Sequence, residues 1–355
     1  MFETLNPAAP DGILMLMSMY RDDPRADKLD LGVGVYKDAS GKTPVMQTVR
    51  KAERRLHETQ ATKSYLGLAG DAVFNELMIG LVMGEKADRS RLRAAQTPGG
   101  TGALRALSDL LRLSRPDATV RVPSPTWPNH VPIVTAAGLK TGTYPYFNTT
   151  TNRVDFDAMM AALENLPAGD VVLLHGCCHN PTGADLTPEH WKPLAELLVR
   201  KGLIPFVDIA YQGFGEGLEQ DAAGLRILAD TVPELLVAAS CSKNFSVYRD
   251  RAGAAIIMAR NSTEADTAYS QLQGVGRCIW SMPPDHAAAC VRIVLHDDDL
   301  RTNWKDELEA VRLRMLTLRT GFAEALRRQS NSERFDFIAA QRGMFSRLGL
   351  AQEQV

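Results

Sequence analysis

Three short apolar runs, Val171-Val172-Leu173-Leu174, Leu203 to Ile209 and Leu235 to Ala239, succeed one another with helix-patterned stretches between them. Runs of this length, apolar at consecutive rather than alternate positions, read as strands covered on both faces. Strands alternating with helices predict a doubly wound, mainly parallel sheet whose ligands sit beyond the carboxyl ends of the strands. The same pattern predicts strands at Thr119–Val122 and Gly142–Tyr146. It predicts helices at Val49–Glu58, Pro128–Ala137 and Phe156–Leu163. The helix after Val171–Leu174 has the clearest boundaries, with Thr187 as N-cap, Pro188 in the first turn and Gly202 past the end.

The polar residues fall where such a sheet would use them. Asn180 lies in the loop after one strand, Asp208 and Tyr211 at the end of the next, and Lys243 just after a third, in Ser240-Cys241-Ser242-Lys243-Asn244-Phe245. Arg251 follows eight residues past the lysine. Thr97-Pro98-Gly99-Gly100-Thr101-Gly102 leads directly into a helical pattern, and a glycine-rich turn opening a helix presents free amides and the positive end of the dipole to an anion. It lacks the glycine spacing of dinucleotide folds and the Lys-Ser/Thr ending of a P-loop, so a single phosphate is the better guest.

Together these groups match one cofactor. Pyridoxal phosphate needs an amine for its aldehyde, an acid at its ring nitrogen, donors for its phenolic oxygen, an aromatic face and phosphate ligands. Lys243 can form the Schiff base and then shuttle the proton, and Asp208 can hold the ring nitrogen protonated. Tyr211 and Asn180 can bond the phenolic oxygen. Ser240, Ser242, Thr101, the Gly100 amide and Arg251 can share the phosphate. Each has a plainer explanation on its own: Asp208 as a helix cap, Tyr211 as a half-buried core residue, Asn180 as a turn former before Pro181.

A second chemistry shares part of this pattern. Ser240-x-x-Lys243 is also the nucleophile motif of serine β-lactamases, and Lys140-Thr141-Gly142 matches their third motif. The order is reversed, and no Ser-Asp-Asn lies between, which disfavours a hydrolase.

Bulk properties narrow the class further. The chain has 355 residues, enough for one large and one smaller domain, with a formal net charge of −2 that gives no argument for nucleic acid or an anionic membrane. Met1 to Pro7 lacks the pattern of a signal peptide, no apolar run reaches membrane-spanning length, and the five cysteines have no disulfide-framework spacing. A cytoplasmic protein is expected. Cys177-Cys178-His179 is read as packing rather than a metal site, because adjacent side chains should diverge and no second ligand pair follows; no metal is expected. Leu29 to Tyr36 alternates apolar residues with glycines, as a bulged strand or as backbone lining a ligand. Near the end, Asn303 to Arg328 predicts a long helix, and Phe335–Ile338 and Gly343–Ser346 predict strand-like pieces.

The motifs Thr97-Pro-Gly-Gly-Thr-Gly-Ala-Leu-Arg105, Pro125-Thr-Trp-Pro-Asn-His130, His175-Gly-Cys-Cys-His-Asn-Pro-Thr-Gly183, Asp208-Ile-Ala-Tyr-Gln-Gly-Phe214 and Ser240-Cys-Ser-Lys-Asn-Phe245 closely resemble the aspartate and aromatic-amino-acid aminotransferases of fold type I. The resemblance runs from Met1 to Val355. It implies an α/β fold with a large domain, residues 44–310, and a smaller α/β domain built from both ends, residues 1–43 and 311–355. It further implies pyridoxal 5'-phosphate, ping-pong transamination through pyridoxamine phosphate, and a homodimer with shared active sites.

By the same resemblance Trp127 stacks on the cofactor ring, His130 supports Asp208, and Tyr65 reaches the phosphate in the neighbouring subunit. Gly34 meets the substrate carboxylate through its backbone. Arg277 serves the partner's site by pairing with a substrate side-chain carboxylate, so dicarboxylates are accepted, and aromatic-type members can move it aside. Ala239–Ser242 and Gly343–Gly349 look more like the aromatic branch, which leaves a strict aspartate enzyme or a non-catalytic cofactor-binding homologue as alternatives. Cys241 departs from the aromatic residue of many relatives. Relatives also continue past the position of Val355 through the arginine that binds the α-carboxylate, a role assigned to no residue here, so the small domain is expected to be incomplete.

Overall fold

The computed structural model describes residues 1–7, 12–28 and 34–350. Most of the expected strand Leu29–Tyr36 therefore lies outside the described residues, and its end, residues 34–36, is not in a strand. Among the described residues nine strands follow in order: β1 (Leu92–Pro98), β2 (Thr119–Ser124), β3 (Lys140–Pro145), β4 (Phe147–Asn148), β5 (Arg153–Val154), β6 (Val171–His175), β7 (Ile204–Ile209), β8 (Leu235–Ser240) and β9 (Ala252–Met258). β4 and β5 form a small separate pair, and the other seven make one sheet in the order β1-β9-β8-β7-β6-β2-β3.

The pairings β2–β3, β2–β6, β6–β7 and β7–β8 are parallel, while β9 runs antiparallel to both β1 and β8. One strand therefore opposes the rest. Consecutive apolar residues within a strand serve opposite faces. Val172, Leu174, Val207 and Val237 belong to one core, with Phe74 and Trp191, while Val171, Leu173, Phe206 and Ala238 belong to the other, with Leu104 and Leu107. Period-two geometry with helices on both sides explains why these strands are apolar throughout.

The expected helices are present with small shifts of boundary. Pro188–Lys201 begins right after Thr187 and stops at Gly202, whose φ of +64° a residue with a Cβ rarely adopts. The long helix runs from Asp298 to Ser330 and meets the Asn244–Phe245 segment through Trp304. The buried Trp304 indole N–H donates to the Asn244 carbonyl at 2.7 Å, and its ring stacks on Phe245 with centroids 4.4 Å apart. The segment carrying Lys243 is thus braced from beneath.

The two strand-like pieces near the end are not strands. Phe337–Ala340 is a short helix, and Gly343–Ser346 has no regular structure. The cause is Arg319, buried on the long helix, whose guanidinium donates to the carbonyls of Ile338, Arg342, Gly343 and Phe345 and to Ser346 Oγ. Carbonyls satisfied by one side chain need no ladder partner.

Candidate active site

Sheet register sets out the site before any side chain is considered. His175 pairs with Asp208 across β6 and β7, Ser240 with Gly253 across β8 and β9, and Gly253 with Thr97 on β1. The ends of β1, β6, β7 and β8 and the start of the reversed β9 thereby converge on one edge. A cavity of about 480 Å³ opens there, and Gly34, Gly100, Thr101, Trp127, Asn180, Asp208, Tyr211, Ser240, Ser242, Lys243 and Arg251 all line it.

One end of the cavity is cationic and shaped by glycines. Arg251 Nη1 donates to Ser242 Oγ at 3.1 Å and to the Tyr248 carbonyl at 3.0 Å. Gly99 has φ +74°, and a Cβ on it would fall 2.5 Å from Arg251 Nη2; a Cβ on Gly100 would fall 3.1 Å from Ser240 Cβ. Gly253 permits this approach, since a Cβ there would meet the Ala239 carbonyl at 2.6 Å and the Gly99 backbone at 2.7 Å. The helix Gly99–Ser114 points its amino end at the same place. The amino end of a helix, a guanidinium and two hydroxyls beside Gly100 suit a phosphate group.

The other end holds a buried carboxylate. His130 Nε2 donates to Asp208 Oδ2 at 2.9 Å, and Thr126 Oγ1 lies 2.7 Å from His130 Nδ1 and 3.2 Å from His175 Nε2. Burial alone would raise the Asp208 pKa, but the hydrogen bond and charge of His130, with Lys243 beyond, outweigh it and leave the pKa lowered. Burial and the neighbouring His130 hold His175 down to about 3, so it is neutral near pH 7. Trp127 stands edge-on to His130 with centroids 5.2 Å apart.

Between the two ends lies Lys243, its Nζ 4.6 Å from the Tyr211 ring centroid. Burial lowers its pKa, Asp208 opposes that, and Arg251 adds to it. A lysine so placed gives up its proton more readily than one in water, as a nucleophilic amine or a base requires. Burial and Asp208 push the Tyr211 phenol up, with a hydrogen bond from Asn180 acting the other way.

Two expected residues stand apart from this cavity. Tyr65 is 90% exposed, and Arg277 is exposed with its Nη1 donating to Ser281 Oγ at 2.7 Å. Neither lines the cavity within its own chain.

The structure also adds residues that the sequence did not single out. Tyr248, whose hydroxyl accepts from the Tyr36 amide at 3.1 Å, lines the cavity, and its position between Lys243 and Arg251 was a usable signal. Phe345 lines it too, edge-on to Tyr211 with centroids 6.1 Å apart, and the Arg319 clasp that places it leaves no local trace in sequence. Cys177 and Cys178 correct the expectation that adjacent side chains diverge. Their sulfurs and the Asp221 carboxylate lie within 4.8 Å of one another, because Cys178 has φ +50° and turns the backbone. His179 is not in that group; it stacks between Tyr146 and His175.

Comparison with known proteins agrees with this geometry. The model of the family described as aminotransferase class I and II matches residues 26–355. The aromatic-amino-acid aminotransferase of Paracoccus denitrificans is 50% identical over 355 residues, covering 100% of this chain and 90% of the relative. The aspartate aminotransferase of Escherichia coli (strain K12) is 46% identical over 358 residues, with the same coverage. A crystal structure of the aromatic-amino-acid aminotransferase from Burkholderia pseudomallei, covalently bound to pyridoxal phosphate, superposes with a TM-score of 0.97 at 41% identity, covering 100% of this chain and 90% of that one. With a family model spanning nearly the whole chain and relatives near half identity, this protein belongs to the class I and II aminotransferases.

Proposed function

We propose that this chain is a pyridoxal-phosphate-dependent transaminase that moves the amino group between an aromatic amino acid or aspartate and 2-oxoglutarate. The observation that carries the reading is the meeting in one cavity of a buried lysine, a His130-supported carboxylate and a cationic end where Arg251 faces the helix start at Gly100. The names of the relatives support both substrate classes.

In this reading Ser240, Ser242, Thr101, Arg251 and the Gly100 amide hold the phosphate, Asp208 holds a proton on the ring nitrogen, and Trp127 covers the ring face. Tyr211 and Asn180 hold the phenolic oxygen. Once bound, the cofactor supplies an electron sink for the substrate's α-carbon. Lys243 Nζ takes and returns the α-proton, its lowered pKa making the neutral amine available. The Gly34 backbone faces the substrate carboxylate. His130 keeps Asp208 ionised, so the ring nitrogen stays cationic.

We further infer a homodimer in which Tyr65 and Arg277 serve the partner's cavity; their exposure outside their own supports this. Arg277 would pair bidentately with the side-chain carboxylate of a dicarboxylic substrate. The division into a large domain and a smaller one from both ends belongs to the same reading. No helix among the described residues is long and apolar enough to cross a membrane, and five free thiols support a cytoplasmic location.

The test is steady-state transamination of tyrosine, phenylalanine and aspartate with 2-oxoglutarate, beside Lys243→Ala. The parent is expected to turn over all three, and the variant none while still folding. A Lys243→Ala protein with parental rates would overturn the assignment.

A further inference from the structure

In extended backbone, neighbouring side chains point to opposite faces. Cys177 and Cys178 escape that rule. The Cys178 amide donates to Asp185 Oδ2 at 2.7 Å and the His179 amide to Oδ1 at 2.8 Å, which fixes the turn at Cys178 and brings both sulfurs to one side. The sulfurs and an Asp221 carboxylate oxygen lie within 4.8 Å of one another. Both thiols are buried, but Cys177 lines the active-site cavity, with Cys178 directly behind it.

Asp221 is not free to act as a third ligand. Its Oδ2 accepts from the Gly213 and Gly215 amides at 2.8 and 2.9 Å, and its Oδ1 accepts from the Glu216 amide at 2.7 Å. Drawing it away would leave three amide donors unpaired. Its charge favours protonated thiols instead. The hydrogen bond with Cys178 and burial raise the Cys177 thiol well above its usual value, and burial raises Cys178 to about 11. A divalent cation would have to displace two protons from such a pair. A trivalent arsenical displaces the same two protons but supplies two leaving hydroxides to take them, so they depart as water and no proton is released to solvent.

We propose that Cys177 and Cys178 form a dithiol binding site for trivalent arsenicals, opening into the active-site cavity. With arsenous acid, As(OH)3 and two Cys–SH give (Cys–S)2As–OH and two waters. Two As–O and two S–H bonds break, two As–S and two O–H bonds form, and nothing is oxidised or reduced. Asn180 and Tyr211 border the same cavity, so a loaded site blocks turnover.

The experiment treats the holoenzyme with arsenite and reads bound arsenic by native mass spectrometry alongside activity. One arsenic per chain is expected, with activity lost at least tenfold and restored by 2,3-dimercaptopropanol but not by an equal concentration of a monothiol. Cys177→Ser and Cys178→Ala should each bind at least tenfold more weakly, and Cys278→Ser, at an exposed thiol, should bind as the parent does. In the parent itself, arsenite should protect Cys177 and Cys178 from alkylation after denaturation, a readout that needs no variant to fold. Absence of arsenic uptake, uptake unchanged in Cys177→Ser, or uptake abolished by Cys278→Ser would each overturn the proposal.

Discussion

His130 Nε2 lies 2.9 Å from Asp208 Oδ2, and both side chains are buried. The hydrogen bond and charge of His130 oppose the upward pull of burial on the Asp208 pKa, which ends lowered. Asp208→Asn retains the shape and removes the charge, so kcat should fall by about a hundredfold or more. His130→Ala removes one charged hydrogen bond, worth about 1.5–3 kcal/mol, and should cost roughly ten- to a hundredfold. Single-turnover absorbance measurements would check both; a His130→Ala enzyme slower than Asp208→Asn would reverse the assigned order of importance.

Gly99→Ala places a methyl group 2.5 Å from Arg251 Nη2 at a position with φ +74°. The strain amounts to about 1–3 kcal/mol, and the guanidinium must move. We expect cofactor affinity to fall at least about tenfold, measured by fluorescence titration of the apoenzyme with pyridoxal phosphate. Undiminished affinity would remove the phosphate from this end of the cavity.

Arg277→Ala should separate the two substrate classes. Loss of a charged hydrogen bond costs about 1.5–3 kcal/mol, so kcat/KM for aspartate should drop roughly ten- to a hundredfold while that for phenylalanine changes little. Equal losses for both substrates would count against a carboxylate role.

How much of this was legible without coordinates depended on whether the signal was local. Asp208, Asn180 and Lys243 could be placed on one edge because each closes a strand that is itself visible as an apolar run, and parallel strands carry their ends to the same side. Phe345 could not be placed, since it arrives through an arginine 26 residues away that satisfies backbone carbonyls whatever their side chains. The same clasp defeated the strand expectation at Phe335–Ile338. The Cys177–Cys178 juxtaposition was missed because a residue with φ +50° reverses the alternation assumed for strands and turns.

Asp185 gives stability a pH dependence of known sign. Burial raises its pKa from 3.8 to about 6, so the native state binds more protons than the unfolded chain between those values. Its contribution is complete below pH 3.8 and is lost as pH rises through about 6. Two units at about 1.4 kcal/mol each set the effect on the order of 3 kcal/mol. Urea unfolding from pH 4.5 to 7 should show that decline in the parent and a flatter profile in Asp185→Asn; parallel profiles would remove Asp185 as the source.

The reversed direction of β9 brings Arg251, next to its first residue, to the edge where β8 delivers Ser240 and Lys243. The proposed amine anchor and phosphate clamp therefore belong to one antiparallel hairpin and are set in a single local event during folding. A slip of one residue between β8 and β9 would turn alternate side chains to the opposite face and separate both groups at once from the glycines that open the helix Gly99–Ser114. An insertion in the short connection 241–251 should thus be far less tolerated than one between β3 and β6, where the chain can lengthen without changing how any site residue is registered.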